Sequence, residues 1–378
     1  MLTGSTATDF AARIVRALED AGRQGIRISA GSGADLELGQ PTRTSDEEGR
    51  ATPGRPRHLE TPPGPRDPGE PNGASRLCYF LDGAQGSREI GRIGTSPVVV
   101  ATVAAAVVNR CERRLRRVDL GGPPGLVRAV ILPRRAAREV EVFWGLLRDA
   151  GLDELREEIP SSDLVLDSTE FMGEVDAADY VGMKERALGR VRALRERLES
   201  ELLNRWEGDD RVLDSEDWIG VDGQLRTRVE GPPPQRAVGL IKSVARPEFV
   251  GKDVGMLLDL APGMRTTSFV PGWQLERAIT DQRTSWYTRM WPPQRGADAL
   301  GSLMRVEAPL DTPPEKVDEI TRWILSERAP LAKPDPRWPA MIYPILHVEK
   351  VLKPLIGGSE RMYARLERQL VNGQNGRN

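Results

Sequence analysis

Hydrophobic positions along this chain switch between two spacings, and each switch marks an element. Phe10, Ile14 and Leu18, with Ala11 and Val15 beside them, recur at helical spacing and predict a helix over 5–22. Aliphatics then almost vanish from 31 to 75, where Gly, Pro, Asp, Glu and Arg dominate. That composition predicts a solvated loop or disordered insert, with His58 an exposed bystander inside it. From 76 the pattern turns apolar and β-prone. Arg76–Gly83 predicts a buried strand, with Glu89–Ile93 and Val98–Val108 as sheet neighbours, though the alanines of the last leave a helix open. Val127–Leu132 predicts another strand and Arg134–Ala150 an amphipathic helix. The sharpest signal is 183–206, where Leu188, Val191, Leu194, Leu198 and Leu202 form one stripe among strong helix formers. Further strands follow at Trp218–Val221, Arg236–Ser243, Ser285–Met290 and Leu303–Val306. Thr312–Glu327 opens with prolines after a threonine, a good helix start. Helices over Ala340–Leu355 and Ser359–Leu370 close the chain.

These elements predict an α/β fold with a mixed sheet flanked by helices. The chain divides into an N-terminal helical segment (1–30), a flexible insert (31–75), one α/β domain (76–371) and a frayed Gly/Asn-rich tail (372–378). With 378 residues and a net charge of −2, bulk charge supplies no attraction for nucleic acid. Any such partner needs a local basic surface, and Arg110, Arg113, Arg114, Arg116 and Arg117 offer one. The two cysteines, Cys78 and Cys111, give neither a disulfide framework nor zinc spacing. No signal peptide opens the chain, and the longest apolar run, Val98–Val108, is too short to span a bilayer. The expectation is a cytoplasmic protein without membrane contact.

Chemistry is concentrated in carboxylates. Two apolar strands each end in Asp-Gly, at Asp82-Gly83 and Asp222-Gly223. Adjacent in one sheet, these aspartates would repel each other unless a divalent cation lay between them. All-oxygen ligands favour Mg2+ or Mn2+. The helix before the second strand offers Glu196, Glu199 and Glu201. At roughly 100° per residue, Glu199 falls about 60° from the centre of the leucine stripe and Glu201 about 100° off on the other flank. A ligand on a helix packed over a sheet sits at the boundary of the buried face, so Glu199 fits best and Glu201 second. Asp167 and Glu170 in LDSTEF compete. The order strand–Asp, helix–Glu, strand–Asp is that of ribonuclease H-like folds, where metals activate water against a phosphodiester.

Taken together, FLDGAQG, RERLESELLNRW with WIGVDGQL, RAVGLIKS and MIYPILHVEK resemble the NurA family, nucleases that work with the HerA hexameric ATPase. RTSWYTRM resembles a strand near that family's site. The likeness spans about 76–106 and 183–356. It implies a ribonuclease H-like fold and a DNA nuclease. Asp82, Glu199 and Asp222 would be metal ligands for Mn2+ or Mg2+, and His347 a ligand or proton-transfer group. Lys242 and Arg289 would contact phosphate, and Tyr343 would pack against DNA. It also implies a HerA-type ATPase partner, a homodimer, and a role in DNA end processing, repair or phage defence. Ala84 stands where the family usually carries serine. Two other readings stay open: an inactive adaptor that binds DNA or the ATPase, and an unrelated α/β protein whose Asp-Gly pairs are only turns.

Overall fold

The computed structural model describes residues 5–31, 54–71, 75–111, 114–121, 125–156, 158–170, 176, 178–225, 234–242, 244, 247–251, 253–293, 298–329 and 338–375. Residues 32–53 and 72–74 of the expected insert, Arg113, Ser243 and residues 376–378 of the expected tail lie outside them.

Among the described residues a sheet of 15 strands runs through the molecule. In chain order these are β1 (Ile28–Ala30), β2 (Arg57–His58), β3 (Pro65–Arg66), β4 (Leu77–Ile93), β5 (Ser96–Cys111), β6 (Arg114–Arg117), β7 (Leu126–Leu132) and β8 (Asp153–Glu154). Then come β9 (Asp163–Asp167), β10 (Trp218–Asp222), β11 (Ala237–Ile241), β12 (Arg265–Thr266), β13 (Phe269–Val270), β14 (Arg283–Arg289) and β15 (Leu303–Pro309). The helices are α1 (Ser5–Arg23), α2 (Arg138–Asp149), α3 (Tyr180–Glu207), α4 (Asp210–Leu213), α5 (Asp253–Leu258), α6 (Pro314–Ser326), α7 (Tyr343–Gly357) and α8 (Glu360–Asn375). The main path is β2-β13-β14-β15-β11-β10-β4-β5-β7-β9-β8. β4 runs parallel to β10 and antiparallel to β5, so the sheet is mixed. The mixed sheet with flanking helices is the architecture the hydrophobic pattern predicts.

Two helix layers cover the middle of this sheet. On one face α3 lays Leu188, Val191, Leu194, Leu198 and Leu202 against Tyr79, Leu81, Ala105 and Ile219. On the other, α6 and α7 lay Ile320, Ile324, Ile345 and Val348 against Phe80, Ala104, Ala106 and Leu240. Each aliphatic side chain so buried contributes about 1.5–3 kcal/mol. α1, α2 and α8 pack against the sheet at the β4–β5 turn end, with Phe10, Phe143 and Leu366 over Ile90, Val98, Val100 and Val130. Burial on both faces explains the alanines of β5. Covered closely on either side, that strand pairs Ala104, Ala105 and Ala106 with Ala84, Gly83 and Asp82, where small residues let helices approach. The strand reading of Val98–Val108 holds and the helical alternative does not.

Three expectations change. Glu89–Ile93 is not a separate strand, because β4 runs unbroken from Leu77 to Ile93 with one irregularity between Glu89 and Gly91. The insert is not wholly loop. Its residues 57–58 and 65–66 pair with β13 and β12. Arg265, buried at 1% exposure, holds Glu60 at 2.7 Å and Asp318 at 2.5 Å. His58 is half-buried, its ring 5.7 Å from that of Phe249. Short-range pattern could not show this, since the partners lie some two hundred positions away. Finally, the last helix continues past Val371 to Asn375.

Candidate metal centre

β10 pairs with β4 from Leu77 to Leu81 in parallel register, Val221 opposite Leu81. That register brings Asp222 beside Asp82. The two Asp-Gly steps differ, however. β10 ends at Asp222, and Gly223 turns away at φ +97°, a conformation that favours glycine. Asp82 instead lies inside β4, whose pairing with β5 continues through Gly83 and Ala84. Beyond Leu81 the β10 edge of β4 meets no described strand until β1 at Gly91. The site occupies this gap.

Alternation along β4 assigns the faces. Phe80 packs with α6 and α7 and Leu81 with α3, so Asp82 faces α7 and Gly83 faces α3. Asp82, Asp222 and Glu349 of α7 each offer a carboxylate oxygen, and the three lie within 4.8 Å of one another. Lys242, just past β11, places its Nζ 2.9 Å from Asp222 Oδ2 and 3.1 Å from Glu349 Oε1. Gly83 lets a fourth carboxylate in from the opposite face. A Cβ there would fall 2.1 Å from Glu199 Oε1 and 3.0 Å from Arg195 Cγ.

The electrostatics follow. Burial pushes the pKa of Asp82 well above 3.8, and the Asp222, Glu199 and Glu349 carboxylates push the same way, with only Lys242 opposing. For Lys242 burial works against the charged form, but Asp222, Asp82 and Glu349 outweigh it and raise the pKa. Asp222 Oδ1 is buried without a hydrogen-bond partner. An orphaned acceptor, three converging carboxylates and a purely oxygen donor set suit a hard divalent cation. This acidic triad can hold a metal ion.

The sequence-derived candidates separate accordingly. Asp82 and Asp222 meet, Glu199 lies over Gly83 from the opposite face, close enough to act on Asp82, and Lys242 joins Asp222. Glu201 is used elsewhere, accepting from the Ile159 amide at 3.1 Å. Glu170 pairs with Arg190, and Asp167 Oδ1 accepts from the amides of Thr169 and Arg134. Glu196 sits half-buried on α3. Arg289 does not fit its expected role. It is 0% exposed, and its guanidinium donates to the carbonyls of Leu257, Leu260 and Ala299 and to Ser302 Oγ. It braces the β14 end and has no face open to phosphate. Tyr343, at the start of α7, is 53% exposed. Arg110 pairs with Glu327 and donates to Leu77 O, while β6 pairs with β5 at Val108–Cys111, toward the end of the sheet away from Asp82.

Glu349 and Arg195 are not among the sequence-predicted residues. The resemblance names His347, yet the triad takes the acid two positions later. At about 100° per residue, Glu349 lies roughly 160° round α7 from His347 and only about 80° from the centre of the buried stripe. Glu349, like Glu199, thus stands at the boundary of its helix's buried face. Arg195, one helical turn before Glu199, approaches its Oε1 with Nε at 3.4 Å.

Fold and site together define a mixed α/β protein with a buried carboxylate centre fit for a divalent cation. No protein-family model matches the chain, and no curated protein matches it. Among solved structures it is similar to the NurA nuclease from Sulfolobus solfataricus, at 14% identity and a TM-score of 0.35, over 75% of this chain and 85% of that one. No described helix is long and apolar enough to cross a membrane.

Proposed function

We propose that this protein is a divalent-metal-dependent DNA nuclease that hydrolyses phosphodiesters. The observation that carries the reading is the meeting of Asp82, Asp222 and Glu349 within 4.8 Å, with Glu199 entering over Gly83. Four acids converge on a largely buried gap where Lys242 and Arg195 supply only two positive charges, which leaves room for a cation. Asp82, Asp222, Glu349 and Glu199 would hold Mn2+ or Mg2+, which when bound lowers the pKa of a water and offsets charge on the phosphate. Lys242 keeps Asp222 and Glu349 oriented. His347, about 160° round α7 from Glu349, faces away from the acids and is given no part at the cation. Tyr343, exposed at the start of the same helix, offers a ring for the nucleic acid to pack against. The HerA-type ATPase partner, the homodimer and a role in end processing, repair or phage defence rest on the sequence resemblance. An adaptor without catalysis is the competing reading, and the complete acid set speaks against it.

The test is direct. Purified full-length chain incubated with end-labelled duplex and single-stranded DNA should cleave in Mn2+ or Mg2+ and stop on chelation. Cleavage that survives EDTA, or none in either metal, refutes the reading.

Gly83 gives a second check. Gly83→Ala drives a methyl into Glu199, whose flexible carboxylate must withdraw. Mn2+ affinity measured by calorimetry should fall about 10–100-fold, as when groups supporting a metal site are displaced, while melting shifts by only a few degrees. Adding Glu199→Asp to Gly83→Ala shortens the acid and should recover part of the loss. Undiminished affinity in Gly83→Ala would remove Glu199 from the site.

A further inference from the structure

We propose that Arg195 is the arginine that holds the substrate phosphate, the role the sequence reading gave to Arg289. The inference rests on the nuclease reading and adds a residue to it. Arg195 sits one turn before Glu199 on α3, and its Cγ lies 3.0 Å from the position a Gly83 Cβ would take. The same absent side chain that admits Glu199 therefore lets Arg195 pack close over Gly83, beside Asp82 in the chain. Its ion pair with Glu199 is made through Nε, at the base of the guanidinium fork. The outer edge of that fork carries the Nη groups, whose planar geometry matches two phosphate oxygens. Access separates the two arginines. The Arg195 side chain is 33% exposed, whereas Arg289 is sealed and consumed by carbonyls.

Charge balance gives the reason for a cation on this face. Lys242 neutralises the acids from the α7 side, locked between Asp222 and Glu349. With its ammonium committed to those two carboxylates, Lys242 is held by the acids, which repel a phosphodiester. On the α3 side Arg195 is the cation that pairs with Glu199. Burial works against its charged form, and the carboxylates of Glu199, Glu196, Asp82 and Asp222 outweigh it. Once a divalent ion offsets those acids, Arg195 is released to bind an anion at the mouth of the gap.

The experiment uses the full chain. Duplex binding by fluorescence anisotropy is followed against KCl with Ca2+ present, for wild type, Arg195→Ala and Arg195→Lys. Arg195→Ala should reduce the slope of log affinity against log salt by about 0.9, the signature of one lost phosphate contact on duplex DNA. Its Mn2+ affinity should stay equal or tighten, since a competing cation is gone. Cleavage should fall about 10²–10³-fold. Arg195→Lys keeps the charge, so its slope should match wild type while cleavage drops about 10-fold for want of the fork. An unchanged slope in Arg195→Ala, or Mn2+ affinity falling in step with cleavage, overturns the proposal, because Arg195 then only positions Glu199. If Arg195→Ala does not fold, Arg195→Lys decides, and wild-type cleavage in it overturns the proposal. A wild type that binds duplex without cutting it refutes the nuclease reading, and the salt slope still decides Arg195. A wild type that does not bind duplex overturns both.

Discussion

Replacing Asp82 with asparagine should abolish cleavage and at the same time make the metal-free protein more stable. Both effects have one cause. Asp82 is 6% exposed, faces Asp222 and Glu349 on its own side of the sheet, and has Glu199 arriving from the other. Burial and those three acids hold its pKa well above 3.8. For an acid raised in the folded state the sign is fixed. Between the ordinary value and the raised one, the native chain binds more protons than the unfolded chain, so stability falls as pH rises through that window. Asparagine keeps the shape and can still accept the Gly83 amide, which Asp82 Oδ1 accepts at 2.8 Å. It removes the charge, and with it the repulsion. Metal-free stability at neutral pH should rise by roughly 1–2 kcal/mol, the size usual when a functional site is relieved of strain, and its dependence on pH should flatten. Cleavage should drop at least about 10³-fold, since an asparagine cannot hold the cation that offsets the phosphate charge. Calorimetric melting in EDTA and a cleavage assay in Mn2+ read the two arms. An active Asp82→Asn protein removes Asp82 from the chemistry. An inactive one that is also destabilised would show that the aspartate has a structural duty and no strained charge.

What the sequence disclosed of this site, and what it hid, divides along physical lines. Asp82 and Asp222 were legible because each closes an apolar run, and an acid at such a place is costly without a partner. Glu199 was legible because a single helix has a readable buried face, and its boundary is a short list. The same boundary on α7 holds Glu349, two positions from the His347 that the resemblance names. Arg289 illustrates the opposite failure. An arginine in a β-prone run looks the same whether its guanidinium meets phosphate or carbonyls. The carbonyls of Leu257, Leu260 and Ala299 come from α5, the turn after it and the loop before β15, 10 to 32 positions away. The ordered part of the insert was hidden for the same reason, because Glu60 is held by Arg265, 205 positions on. Asp-Gly itself misled once. Read as strand end plus turn, it describes Asp222-Gly223 with its positive φ. At Asp82-Gly83 the strand continues, and the glycine serves to admit a side chain from the far face.

Lys242→Met should cost the metal-free protein about 3–5 kcal/mol, the penalty for removing one partner from buried ion pairs, and added Mn2+ should restore most of it. The Lys242 ammonium is 8% exposed and lies between Asp222 and Glu349 at 2.9 and 3.1 Å. Its pKa is raised above 10.5, burial being outweighed by the carboxylates, so its stabilisation is complete at neutral pH and lost only in strong alkali. Methionine fills similar volume beside Met341, whose Sδ lies 3.7 Å from Nζ, but leaves the acids with no internal cation on the α7 side. Two remedies then remain. Protonating the acids relieves the repulsion, so the variant should melt much closer to wild type at pH 5 than at pH 8. A divalent cation does the same at pH 8, and because it binds only the folded chain its effect grows with concentration as RT ln(1 + [L]/Kd). The wild type, already neutralised in part, should gain less from either. Scanning calorimetry at the two pH values, with and without Mn2+, separates this from ordinary loss of packing, which would lower melting equally in all four conditions. Equal deficits throughout would mean that Lys242 is a structural lysine. A deficit confined to metal-free, neutral conditions would mean that this ring of acids is built around a positive charge, supplied by the lysine until an ion arrives.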